Sequence, residues 1–157
     1  MIKQFEKLSN EECALLFKAP VLVSVFAACS NDKVDQVKKR DAIKLAHLKT
    51  FTASPLLLPY YLEVEKNFKM QFEALSKKYF PFDTFKRGEL ESEVKKVLDI
   101  IGKLDKGYAQ ELKKSLLGYF EHVNRSMHSI FQDFIFPLPI SGLNEYSKPA
   151  ASTFNNL

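Results

Sequence analysis

The sequence predicts an all-α protein, built as a single helical bundle of five or more helices with an extended, proline-rich C-terminal segment. Apolar residues recur at intervals of three and four along most of the chain, which is the period of a helix with one buried face. None of the long segments alternates as a half-buried strand does. The length of 157 residues suits one domain with its own hydrophobic core. We expect the bundle to occupy residues 1–146 and a mobile tail to occupy residues 147–157.

The first long helix is predicted to begin after Ser9. Ser9 and Glu12 form the pattern of a capping box, in which each side chain bonds the backbone N–H group of the other residue. The apolar residues that follow lie on nearly every face, so we expect the other helices to surround this one. Pro20 removes one backbone donor and should bend the helix. The polar turn at residues 31–32 should end it.

A second helix is predicted from Asp35, which can cap it, to about Lys49. Its inner side is expected to contain Val37, Ile43 and Ala46. Its solvent side is expected to contain most of the basic residues Lys38, Lys39, Arg40 and Lys44. Because a basic amphipathic helix can also lie on anionic lipid, an amphipathic membrane-surface protein is kept as a third functional class.

Three more helices follow from the same spacing. Ser54 and Pro55 resemble a helix start, with serine as the cap and proline at the first position, and Phe80-Pro81 should end that helix. Its buried stripe is expected to contain Tyr61, Val64, Phe68, Phe72, Leu75 and Tyr79. A fourth helix should bury Leu90, Val94, Val97, Leu98, Ile101 and Leu104. A fifth should bury Leu112, Leu116, Tyr119, Val123, Ile130 and Phe134.

Two apolar stretches are candidates for contact with a partner. Prolines, a glycine and small polar residues dominate after Phe136, so we expect an extended strip there that folds back onto the bundle. The candidate interaction residues in the two stretches are Leu56, Leu57, Leu58, Phe136, Leu138 and Ile140. A protein partner or a second copy of the chain could dock on them. The alternative is that both stretches close the open ends of the bundle.

Composition restricts the functional classes. The 23 basic and 19 acidic residues are mixed along the chain and give a formal net charge of +4, so no nucleic-acid partner is expected. The N-terminal residues do not resemble a cleaved signal peptide. The most apolar run contains Lys18 and Pro20 and is too short for a transmembrane segment. Cys13 and Cys29, placed too far apart in one helix to pair, favour reduced cysteines and a cytoplasmic location.

No pattern of catalytic residues is evident, and we expect a non-catalytic protein without a cofactor. The sequence contains no Gly-x-Ser-x-Gly, no Cys-x-x-Cys, no His-Glu-x-x-His and no glycine-rich phosphate loop. A metal site built from His47, His122 and His128 is one alternative. It is disfavoured because the last two histidines are six residues apart and project in different directions from one helix.

A divalent-cation site in the loop after the first helix is the other alternative. Asn31, Asp32 and Asp35 supply oxygen ligands there, although calcium and magnesium usually need more of them. The same residues can equally form the turn and cap the next helix. The sequence therefore leaves a divalent-metal-binding protein as the alternative to a contact module.

Residues 19–48 combine a helix that ends in small residues at Ala28, a polar turn and a second helix that restarts within a few residues. This unit resembles the TerB-like tellurite-resistance domain. In that family acidic residues of the turn are thought to hold a divalent cation, and the corresponding residues here are Asn31, Asp32 and Asp35. The resemblance implies a bacterial helical module that acts by protein-protein contact or as a stress-linked scaffold.

Overall fold

The computed structural model describes residues 2–30 and 33–123, with side chains for residues 2–28 and 35–123. This part of the chain contains five α-helices: α1 (Asn10–Ala28), α2 (Gln36–Thr52), α3 (Leu58–Tyr79), α4 (Thr84–Ile101) and α5 (Lys106–Val123). A 3₁₀ helix (Lys3–Phe5) precedes them, and a minimal hairpin of β1 (Cys29–Ser30) and β2 (Lys33–Val34) joins α1 to α2. The predicted all-α fold is confirmed. The proline-rich segment and the predicted domain limit at residue 146 lie outside the described residues.

Helix α1 lies at the centre of the bundle and packs against each of the other four helices. Residues 19–25 are buried on every side, as their all-round apolar pattern predicts. The capping box forms, because Ser9 N–H donates to Glu12 Oε2 at 2.9 Å and Glu12 N–H donates to Ser9 Oγ at 3.2 Å. Pro20 lies inside the helix, and its carbonyl accepts the buried Ser24 hydroxyl at 2.7 Å. This bond satisfies the one buried polar side chain of the segment.

Helix α1 ends at Ala28, earlier than the polar turn that was expected to end it. The chain pairs Cys29 with Val34 in the hairpin, and the N–H group of Asp35 donates to the Ala28 carbonyl at 2.9 Å. The last carbonyl groups of a helix lack partners within the helix, and the hairpin supplies a donor for the carbonyl of Ala28. Placing Cys29 in the same helix as Cys13 is therefore wrong.

Helix α2 begins where predicted, with Asp35 as its cap. The Oδ1 atom of Asp35 accepts N–H groups from Val37 at 2.9 Å and from Lys38 at 3.1 Å. Ile43 is half-buried and Ala46 is buried, as expected. Val37 is exposed, so its predicted place on the inner side is wrong. At 3.6 residues per turn Val37 lies about 180° around the helix from Ala46, which explains why only one of the two is buried.

Helix α3 begins at Leu58 rather than at the predicted start. The chain first makes a turn, in which the Ser54 carbonyl accepts N–H groups from Leu57 at 2.9 Å and from Leu58 at 3.0 Å. The Ser54 hydroxyl forms no capping bond. Pro59 instead of Pro55 occupies the first turn of the helix, where a backbone donor is not needed. The prediction that Ser54 and Pro55 start this helix is wrong.

The buried stripes predicted for the last three helices complete the core. The side chains confirmed as buried are Tyr61, Val64, Phe68, Phe72, Tyr79, Leu90, Val94, Val97, Ile101, Leu104, Leu112, Leu116, Tyr119 and Val123. Leu75 and Leu98 are partly buried against this core. Ile130 and Phe134 lie outside the described residues. Helix α3 ends before Phe80-Pro81 as predicted.

Successive helices run in opposite directions, so the bundle has two ends. At the hairpin end, the Phe26 ring near the end of α1 contacts the Phe82 ring at 6.1 Å and the Phe120 ring at 6.4 Å. At the opposite end, the Phe5 ring contacts Tyr60 at 6.3 Å and Tyr108 at 5.8 Å. Aromatic contacts therefore close both ends of the core.

Candidate interaction surface

The loop residues proposed as metal ligands are only partly visible. Asn31 and Asp32 lie outside the described residues, and Asp35 uses Oδ1 to cap α2. Within residues 2–28 and 35–123, no three histidine, cysteine, aspartate or glutamate side chains converge as a metal site requires. The loop site stays a prediction, while the role of Asp35 that the structure shows is that of a cap.

The described histidines lie apart. His47 is exposed on α2, and its Nδ1 atom lies 2.6 Å from Glu65 Oε1 on α3. His122 lies in the last turn of α5, and the bond from the Tyr119 hydroxyl to the Ala42 carbonyl sets the register of α5 against α2. His128 is outside the described residues.

A polar cluster that the sequence does not predict joins three helices of the bundle. Lys49 Nζ donates to Ser115 Oγ at 3.4 Å, and the Tyr61 hydroxyl lies 2.6 Å from the same oxygen. Burial lowers the pKa of Lys49 and raises the pKa of Tyr61 to about 12. A lysine beside a serine can act as its base, but acyl transfer also needs N–H donors for an oxyanion. The N–H groups around Ser115 belong to the interior of α5, so we interpret the cluster as a contact that joins α2, α3 and α5.

An open cleft of about 300 Å³ lies between the start of α1 and the end of α4. Three of its five charged side chains are engaged, because Glu12 is paired with Lys103 and also accepts the Ser9 N–H group, and Lys96 is paired with Glu93. A second cavity, lined by apolar residues of α1, α4 and α5 and by Lys113, measures about 10 Å³ and is too small for a substrate. Neither space combines depth with unpaired polar groups, so neither resembles a ligand pocket.

The apolar stretch before α3 is divided between core and surface. Leu57 is only 2% exposed and packs in the core, and Leu58 is half-buried. Leu56 is 40% exposed and remains available to a partner. The other candidate interaction residues, Phe136, Leu138 and Ile140, lie outside the described residues. The structure thus places one of the six candidates on the surface.

Leu56 belongs to a larger group of exposed apolar side chains, which we call the corner surface: Leu48, Phe51, Leu56 and Leu62. Leu48 and Phe51 are three residues apart and therefore share a face of α2. The contacts of Lys39 with Glu73 and of His47 with Glu65 show that α2 and α3 are antiparallel neighbours. One helical turn further in this register, Phe51 lies level with the turn of α3 that contains Leu62.

The corner surface is held in position by the packing beneath it. The Phe51 ring meets the His47 ring edge to face at 5.2 Å, and His47 in turn contacts Glu65 of α3. Phe51 nevertheless remains 73% exposed. Leu48 and Phe51 were not among the predicted interaction residues, because the apolar residues of α2 lie on two faces and the pattern does not show which face is buried.

The basic residues of α2 are less available than the sequence suggested. Lys38 is half-buried and donates to the Ala27 carbonyl at 3.1 Å, and Lys39 pairs with Glu73 at 3.3 Å. Arg40 and Lys44 are exposed as expected. Two of the four predicted cations are therefore engaged with neighbouring groups. None of the described helices is both long and apolar enough to cross a bilayer.

Comparison of the chain with known protein families, with curated proteins and with solved structures finds no match. The TerB-like resemblance of residues 19–48 thus stays a prediction. The function has to be argued from the described surface alone.

Proposed function

We propose that this chain is a non-catalytic helical module that works through protein-protein contact, made at the corner surface. The observation that supports this most is the exposure of four apolar side chains on adjacent elements. Single exposed apolar residues are ordinary, but a contiguous group is typical of a surface that a partner covers. A stress-linked scaffold in the bacterial cytoplasm, as the TerB-like resemblance implies, is the setting that we propose.

The partner that fits this surface best is a second copy of the chain. Helices α2 and α3 form an antiparallel pair, and the same pair from another molecule can pack on it across a two-fold axis. The exposed residues nearby carry both signs, with Lys44 on α2 and with Glu63 paired to Lys66 at 2.6 Å on α3. In a symmetric dimer, the basic residues of one copy can lie opposite the acidic residues of the other copy. A partner with a strong charge of one sign would instead be repelled by the residues of like charge on this surface.

The test is self-association measured by sedimentation velocity over a concentration series. Phe51→Ser removes the most exposed ring of the corner surface and should weaken the dimer at least tenfold, because one well-buried aromatic side chain contributes about 1.5–3 kcal/mol. Phe85→Ser is the matched control, since Phe85 is 74% exposed but lies at the hairpin end of the bundle. The control should dimerise as the unchanged protein does.

A photo-crosslinking residue at position 51 extends the test to a different protein partner in the native cell. A specific adduct at position 51, absent when the same residue is placed at position 85, would support contact at the corner surface. A monomeric protein that forms no adduct at position 51 would refute the proposal.

A further inference from the structure

A second exposed surface lies at the hairpin end of the bundle, where α3 turns into α4. Phe80 follows the last residue of α3, and Phe85 is the second residue of α4. Both rings are exposed, and Phe85 is the more exposed of the two. We call Phe80, Phe85 and the basic residues on either side of them the turn surface. It is separate from the corner surface and plays no part in the function proposed above.

The turn surface is rigidly supported from below. Asp83 Oδ1 caps α4 by accepting the Lys86 N–H group at 2.8 Å, and Lys86 Nζ donates to the Phe80 carbonyl at 2.7 Å. The Phe82 ring between the two exposed phenylalanines is buried. These contacts fix the backbone of the turn that carries Phe80 and Phe85, so the backbone of this surface is pre-organised for binding.

Basic residues flank Phe80 and Phe85 along the chain. Lys77 and Lys78 lie in the last turn of α3, and Lys86 and Arg87 lie in the first turn of α4. Lys78 Nζ contacts the Tyr79 ring at 4.7 Å, and the Arg87 guanidinium lies over the Phe82 ring at 5.6 Å. None of the four forms an ion pair with a carboxylate among the described residues.

The nearby carboxylates do not cancel this charge. Asp83 is occupied as the cap of α4, and Glu89 lies one turn further along the helix. Glu93 also acts on Lys78, but it is paired with Lys96 at 2.8 Å. Four basic side chains therefore face three acidic ones, of which Asp83 is engaged with the backbone and Glu93 with a lysine. The turn surface is complementary to a negatively charged partner that also offers apolar volume.

We infer that the turn surface binds the surface of an anionic lipid bilayer, with the Phe80 and Phe85 rings entering the interface and the four cations meeting lipid phosphates. A bilayer fits better than an acidic peptide, because a peptide is usually held in a groove. Neither the cleft nor the small cavity described above is lined by Phe80 or Phe85, and both side chains are exposed. Exposed aromatic rings with basic neighbours are the features that anchor proteins at membrane interfaces.

The expected affinity depends on charge and on the rings separately. Each basic residue near an anionic membrane is worth about a fivefold change in binding, and salt screens this part. Entry of one exposed phenylalanine into the interface should contribute about tenfold. Both contributions must be present if the inference is correct.

The experiment is flotation of the full chain with phosphatidylcholine vesicles, prepared with and without a one-third share of phosphatidylserine. The full chain should bind the phosphatidylserine vesicles at low salt, bind neutral vesicles poorly and dissociate as salt is raised. Phe85→Ser should weaken binding about tenfold, and Lys77→Gln combined with Lys78→Gln should weaken it by more than tenfold. Circular dichroism would verify that these exposed substitutions leave the helices intact.

Met70→Ser is the control, because Met70 is an apolar side chain with 64% of its surface exposed and belongs to neither the turn surface nor the corner surface. It should bind vesicles as the unchanged protein does. The inference is overturned if the full chain ignores phosphatidylserine vesicles, if neutral vesicles bind equally well, or if Phe85→Ser binds normally. Binding of an acidic peptide in the absence of vesicle binding would also overturn it. Because the dimer test relies on Phe51 and this test on Phe85, the two proposals fail independently.

Discussion

Replacement of Asp35 tests whether this carboxylate acts as a helix cap or as a metal ligand. Its Oδ1 atom accepts the N–H groups of Val37 at 2.9 Å and Lys38 at 3.1 Å. These donors belong to the first turn of α2, where no helical carbonyl is available to them. Asp35→Ala therefore removes the oxygen that accepts the N–H groups of Val37 and Lys38. Asp35→Asn and Asp35→Ser keep an oxygen acceptor at this position.

The size of the effect follows from the position of the cap. Loss of a capping side chain costs about 0.5–2 kcal/mol. Asp35 is half-buried and water can reach the freed N–H groups, so we expect about 1 kcal/mol for Asp35→Ala. For a domain of this size that loss lowers Tm by about 3 °C. Asp35→Asn and Asp35→Ser should each lower the free energy of unfolding by only about 0.3 kcal/mol.

The assay is urea unfolding followed by circular dichroism, first after chelator treatment and then with Mg²⁺, Ca²⁺, Zn²⁺ or Mn²⁺. If Asp35→Asn destabilises the protein as much as Asp35→Ala, the capping argument is refuted, because the asparagine preserves the acceptor. If one cation stabilises the unchanged protein and Asp35→Asn abolishes that gain, Asp35 is a metal ligand.

Two further predictions concern the core. Phe72→Ala should lower the free energy of unfolding by about 3–5 kcal/mol, because the Phe72 ring is buried and stacks on Phe68 at 6.2 Å. Met70→Ala should change the same free energy by less than about 0.5 kcal/mol, because Met70 is exposed. Equal losses in urea unfolding would contradict this packing. Stability should also fall as the pH rises from 10.0 to about 12, because burial raises the pKa of Tyr61 and the unfolded chain loses that proton first. Tyr61→Phe should make the alkaline decline shallower, and an unchanged slope would argue against a buried Tyr61 phenol.

The helix starts that could be predicted are those set by one side chain and its immediate neighbours. The capping box of Ser9 with Glu12 and the cap at Asp35 each bond backbone groups within three residues. Such bonds depend little on the rest of the protein. The start at Ser54 failed because the same residue types also suit a turn, and the turn is what forms.

The corner surface could be predicted only in part. An apolar stretch shows that some of its side chains are buried, but it does not show which side chains face the core. Leu57 faces the core while its neighbour Leu56 faces solvent. On α2 the apolar residues lie on two faces, so the buried side could not be chosen from the pattern, and Val37 was placed wrongly.

The sequence by itself determined the helical class, the approximate extent of the five helices and most of the buried stripes, because these depend on a period of 3.6 residues and on local caps. Only the tertiary structure decided which apolar side chains remain uncovered, since that depends on how the helices pack together. The cluster of Lys49, Tyr61 and Ser115 has the same origin. Tyr61 lies 54 residues and Lys49 lies 66 residues before Ser115 in the sequence. No periodic pattern relates positions that are so far apart.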